Sequence, residues 1–64
     1  MTAEEAYRQR HTAVLQLLGQ LGDLVVVHHR QQLQEPLDWG YVGDLAHVEE
    51  RLQEIVDCLR PVEV

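Results

Sequence analysis

Residues 31–41, QQLQEPLDWGY, contain the break that decides the fold. Pro36 has no backbone N–H and disfavours a helical conformation of the residue before it, so a helix that reaches this point must end near Glu35. Apolar residues recur with the 4-3 spacing of a helix face on both sides of the break. The sequence therefore predicts an all-α protein with two helices joined by a short turn that contains the proline.

The two apolar series are mirror images of each other about the Pro36–Leu37 bond. Paired in reverse order, their residue numbers sum to 73, as for His28 and Leu45. Other offsets seven residues apart satisfy the spacing, but this one places the centre on the proline. Because antiparallel helices pair residues in reverse order, we expect an antiparallel helical hairpin. We call these residues the seam: Val14, Leu18, Leu21, Val25, His28 and Gln32 in helix one, and Tyr41, Leu45, Val48, Leu52, Ile55 and Leu59 in helix two.

Capping residues predict the ends of the helices. Thr2 and Glu5 have the spacing of a capping box at the start of helix one. Asp38 and Asp44 are both plausible N-caps of helix two, and we favour Asp38 because the seam already includes Tyr41. We expect a single domain over 1–64, with helix one at about 3–34, the turn at about 35–38 and helix two at about 39–60.

Size and composition require something beyond the core of one chain. A 64-residue chain buries too small a fraction of its surface to be comfortably stable alone. Cys58 is the only cysteine, which excludes an internal disulfide, and the sequence lacks the ligand pairs of a structural zinc site. We expect no metal and no cofactor. Self-association is the remaining common means of stabilisation.

Charge and hydropathy argue against nucleic-acid-binding, membrane and secreted proteins. The chain has a net charge of -6 and no lysine, so a phosphate backbone would be repelled over most of its surface. The longest apolar run, Leu24–Val27, is far shorter than a membrane span, and the acidic N-terminus is unlike a signal peptide. We expect a cytoplasmic protein that does not enter membranes and is an unlikely partner for nucleic acid.

Helix one is apolar over more of its circumference than one partner helix would cover. A two-stranded contact needs only the seam, yet apolar residues continue on both sides of it, so more than one helix must pack there. We expect a homodimer of hairpins that forms a four-helix bundle; a higher oligomer, a complex with another chain and a monomer are the alternatives. We call one side the leucine edge (Ala13, Leu17, Leu24 and Val27) and the other the glycine edge (Leu15, Gly19, Gly22, Val26 and Leu33).

The candidate interface combines these edges with aromatic residues. Tyr7 lies in turns of helix one that extend past helix two, and an antiparallel second copy would bring it toward the turn of its partner. Gly19 and Gly22 would allow close approach of another helix, or are simply tolerated. Trp39 and Tyr41 form a recognition patch, or else plug the end of their own bundle. The predicted dimer or partner interface is Tyr7, Leu15, Leu17, Gly19, Gly22, Leu24, Val26, Trp39 and Tyr41.

The histidines and the one thiol are the side chains that could bind a metal, respond to pH or take part in catalysis. His11 and His28 share an apolar stripe, where protonation would oppose burial; the alternative is an inert histidine at the core edge. His28 and His29 point about 100° apart on a helix, so a metal site would need two chains. Cys58 and His47 are separated by about 16 Å along a helix, too far for a catalytic pair. With no Ser or Lys either, we expect no enzyme and no catalytic residues.

In length and topology the predicted hairpin dimer resembles the Rop type of plasmid-copy-number proteins, which bind paired RNA loops. The resemblance implies a nucleic-acid-binding regulator. The basic helix-one face of that type has no counterpart here: Arg8, Arg10 and Arg60 form one basic cluster, which Glu4 and Glu5 adjoin. We therefore expect a non-enzymatic, self-associating interaction or accessory module. The alternatives are a nucleic-acid-binding regulator of the Rop type and a histidine-based metal or pH sensor.

Overall fold

The computed structural model describes residues 1–61, and these are helical on both sides of the proline. Helix α1 spans Ala3–Gln34 with 32 residues, and helix α2 spans Trp39–Leu59 with 21 residues. No β-strand occurs within residues 1–61. The prediction of an all-α protein with two helices is confirmed. The chain divides into two compact units, Met1–Gln34 and Glu35–Val64.

Thr2 organises the first turn of α1. Its hydroxyl oxygen accepts a hydrogen bond from the backbone N–H of Glu5 at 3.1 Å, and its carbonyl accepts one from Ala6 at 3.0 Å. These bonds satisfy backbone donors that a helix start otherwise leaves without a partner. The helix then continues through Gly19 and Gly22, each of which lowers helix stability by about 1 kcal/mol relative to alanine. Neither glycine has a positive φ, so both are regular helical residues.

The segment between the helices is short and locally hydrogen-bonded. The backbone N–H of Asp38 donates to the carbonyl of Glu35 at 3.1 Å, with Pro36 between them at a position that proline favours in β-turns. Asp38 has an extended backbone, and its side chain accepts a hydrogen bond from the N–H of Gly40 at 2.8 Å. Asp38 is therefore the N-cap of α2, which confirms the preference for it over Asp44.

The C-terminal end of α2 comes one residue before the predicted position. Arg60 has an extended backbone with ψ of 132°, while its N–H still donates to the carbonyl of Val56 at 3.1 Å. Pro61 explains this conformation, because the residue before a proline is driven out of the helical region. Arg60 and Asp57 approach to 3.9 Å, a contact between exposed side chains that contributes little to stability.

None of residues 1–61 is buried. Six of the seven least exposed residues belong to the predicted seam, and Ala6 is the exception. The seam is thus the most sheltered line of each helix. These half-buried residues are Ala6, Leu21, His28 and Gln32 in α1, and Tyr41, Val48 and Leu52 in α2.

Candidate interaction surface

Both apolar edges of α1 lie open to solvent. On the glycine edge Leu15 is 55% exposed, and on the leucine edge Leu24 is 64% exposed. Val26 on the glycine edge and Leu17 on the leucine edge are exposed to a similar degree. Single exposed aliphatic residues are common on protein surfaces, but continuous rows of them mark sites of interaction. The candidate interface residues with apolar side chains on the two edges of α1 are therefore accessible to a partner.

The two glycines make the glycine edge unusually shallow. Leu15, Gly19, Gly22 and Val26 follow one another at intervals of four, three and four residues, which places them along one face of α1. Beyond its chain neighbours, no side chain lies within 4 Å of the place where a Cβ atom at Gly19 or at Gly22 would be. Open space therefore lies over the helix backbone between Leu15 and Val26. A second helix could approach closely there.

Tyr7 lies near the N-terminal end of α1 and is mostly exposed. Its ring stacks on His11, one helical turn further on, with the ring centroids 5.9 Å apart and the planes inclined by 18°. His11 is itself exposed. The two rings together form a small aromatic surface on α1.

The aromatic residues at the start of α2 do not act as one patch. Trp39 is 80% exposed and lines a shallow depression of about 230 Å³ together with Pro36, Leu37, Asp38 and Val42. Tyr41 is half-buried, and two residues along a helix place it on a different face from Trp39. The apolar surface here is therefore formed by Trp39 and the turn. The predicted interface contained Trp39 but neither Leu37 nor Val42, although Leu37 is an apolar residue of the predicted turn.

One side of α2 is acidic. Glu49, Glu50, Gln53, Glu54 and Asp57 line an open surface region of about 530 Å³. The side-chain amide of Gln53 donates to Asp57 at 3.0 Å, and Arg51 lies 3.3 Å from Glu54. These local pairs support the helix by a few tenths of a kcal/mol each. An acidic surface of this kind disfavours contact with a phosphate backbone.

The histidines and the cysteine differ in exposure. His28 is half-buried, whereas His11, His29 and His47 are exposed, as is the thiol of Cys58. Within residues 1–61 no group of three or more His, Cys, Asp or Glu side chains is placed to hold a metal ion. One chain therefore does not present a metal-binding set in this part of the molecule.

Hydropathy and the comparisons with known proteins add two findings. Within the described part of the chain, neither α1 nor α2 combines the length and the apolar character that crossing a bilayer requires. No protein-family model, curated protein or solved structure matches the chain.

Proposed function

We propose that the chain is a non-enzymatic, self-associating protein–protein interaction module. In this proposal each chain folds as an antiparallel helical hairpin, and two hairpins form a four-helix bundle. The observation that carries the proposal is the pair of exposed apolar edges on α1. Leu15 and Leu24, on opposite sides of the seam, are each more than half exposed.

Three features support the hairpin. The seam residues of α1 and α2 match in reverse order about the proline, and the half-buried residues of both helices fall on the seam, with Ala6 the exception. The third feature is the hydrogen bond from Asp38 to Glu35, which makes the connection short. Helices joined by two to five residues usually pack as antiparallel neighbours.

The need for a second copy follows from the width of the apolar surface. One partner helix covers a single stripe, whereas α1 exposes aliphatic side chains on both sides of its seam. Removing apolar surface from water stabilises a contact by about 25 cal/mol per Å². The chain contains one cysteine and therefore no internal disulfide that would compensate for its small size. Association with another copy provides the missing burial without any further component.

Sedimentation equilibrium of the purified chain at micromolar concentration tests the proposal. We expect a mass of twice the chain mass of 7.4 kDa, together with the circular dichroism of a mostly helical protein. A folded helical monomer at these concentrations would contradict the proposal. A chain that is unfolded alone and becomes helical only with a different protein would contradict the homodimer and retain the interaction module.

A further inference from the structure

Charge is distributed very unevenly along the chain. In residues 1–34 three acidic residues balance three arginines, so the net charge of this unit is zero. In residues 35–64 eight acidic residues stand against two arginines, which gives the whole net charge of -6. A second copy that packed its α2 against α2 would bring two acidic surfaces together, and like charges repel. A contact between two α1 helices carries no such penalty.

The middle of α1 is nearly free of charge. Between Thr12 and Val27 the only charged residue is Asp23. The glycine edge within this stretch has open space at Gly19 and Gly22. Building on the self-association proposed above, we infer that α1 of a second copy covers the glycine edge in an antiparallel orientation.

The charged residues of α1 select the orientation. In a parallel pair each residue lies level with its own copy, so Arg30 would lie level with Arg30. In an antiparallel pair, members of the glycine edge lie level with one another where residue numbers across the interface sum to 34, 41 or 48, because the edge repeats every seven residues. At 48, Arg30 lies level with Leu18 and has no charged residue opposite it. At 34, Arg30 lies level with Glu4 and next to Glu5, and Asp23 lies level with His11. At 41, Arg30 lies level with His11. Opposite charges therefore favour the antiparallel register at 34.

These charges are accessible to a partner. Within residues 1–61 neither Asp23 nor Arg30 takes part in an ion pair. Glu4 lies 3.6 Å from Arg8 of its own chain, and both of these side chains are mostly exposed. Such an exposed pair is weak and does not prevent Glu4 or its neighbour Glu5 from meeting Arg30 of a second copy.

Leu15 and Gly19 are the members of the glycine edge that lie level with each other in this register, while Val26 lies level with Arg8. At Leu15 a large side chain of one copy therefore meets a position of the other that has none. Beyond its chain neighbours, no side chain lies within 4 Å of the place where a Cβ of Gly19 would be. This register places Tyr7 level with Val27, short of the turn at residues 35–38. It therefore replaces the expected approach of Tyr7 to the turn of its partner.

Charge reversal in the full chain tests the register. Glu4→Arg or Arg30→Glu alone should raise the dimer dissociation constant about tenfold, since each puts like charges level with one another. The double variant Glu4→Arg/Arg30→Glu should return it to within about threefold of the unmodified chain, because the pair is restored with its signs exchanged. The matched control is Glu4→Arg/Arg10→Glu. It makes the same change in net charge, but Arg10 lies away from the glycine edge, so it should show no recovery.

Cysteine crosslinking gives a second readout that does not depend on charge. In a Cys58→Ala background, chains with Leu15→Cys and chains with Gly19→Cys are mixed and oxidised. The antiparallel register predicts disulfides between the two kinds of chain, whereas a parallel pair predicts disulfides between two copies of the Leu15→Cys chain.

The outcomes separate this inference from the proposed function. Recovery in the double variant, together with mixed disulfides, supports the register. A dimer in which the double variant shows no recovery, or in which mixed disulfides do not form, overturns the register but leaves self-association intact. A monomeric unmodified chain overturns both.

Discussion

Replacing Leu15 by glutamine should weaken self-association by one to two orders of magnitude. Complete burial of a leucine side chain is worth about 1.5–3 kcal/mol, and Leu15 is 55% exposed in the single chain, so its remaining burial is worth roughly 0.8–1.7 kcal/mol. A two-fold contact buries this residue twice. The dimer therefore loses roughly 1.7–3.3 kcal/mol, and the dissociation constant rises about 15- to 250-fold.

The assay is sedimentation equilibrium over a range of chain concentrations, with circular dichroism recorded on the same samples. Leucine and glutamine have similar helix propensities, so α1 should retain its helicity in the variant. Leu37→Gln is the matched control, because Leu37 is 92% exposed and lies outside both helices. It should change the dissociation constant by less than about twofold, within the usual range for surface substitutions.

A variant on the other side of α1 identifies which edge forms the contact. Leu24→Gln removes a leucine of similar exposure from the leucine edge, and we expect it to have the smaller effect. If Leu15→Gln dissociates no more readily than Leu37→Gln, burial of the glycine edge is refuted. If Leu24→Gln has the larger effect, the second copy packs on the leucine edge.

Three further predictions concern the local structure and the alternative functions. At fixed chain concentration Gly43→Ala should raise the free energy of unfolding by about 1 kcal/mol, because the new Cβ has open space around it. Gly40→Ala should raise the free energy of unfolding by much less, because its Cβ would lie 3.0 Å from the capping oxygen of Asp38. Asp38→Ala should lower the free energy of unfolding by about 0.5–2 kcal/mol, while Asp38→Asn, which also caps, should be nearly neutral; urea titration followed by circular dichroism measures all four variants. Equimolar zinc should leave Tm unchanged, because within residues 1–61 no group of three or more ligands is placed to hold a metal ion; a Tm shift would favour the metal-sensor alternative. Structured RNA should not bind at low salt, because the net charge is -6; a retarded RNA band in a gel-shift assay would favour the nucleic-acid-binding alternative.

Local chemistry accounts for what could be predicted about the helices. Thr2 and Asp38 cap helix starts by bonds to N–H groups two or three residues away, and Pro36 ends α1 through its own covalent ring. Such effects depend only on neighbours in the chain, so the pattern of residue types was sufficient. The same local effects set the end of α2, which was predicted at about residue 60 and lies at Leu59. Pro61 drives Arg60 into an extended conformation.

The sequence by itself thus determined two helices, their caps and the composition of both apolar edges on α1. Spacing assigns a residue to a face, but it does not tell how much of that face other atoms cover. The three-dimensional structure decided that Leu15 and Leu24 are more than half exposed and that space lies open at Gly19. It also decided that Trp39 forms an apolar surface with residues of the turn, and not with Tyr41. Exposure is a sum over all surrounding atoms, so it is decided only when the side chains have taken their positions in space.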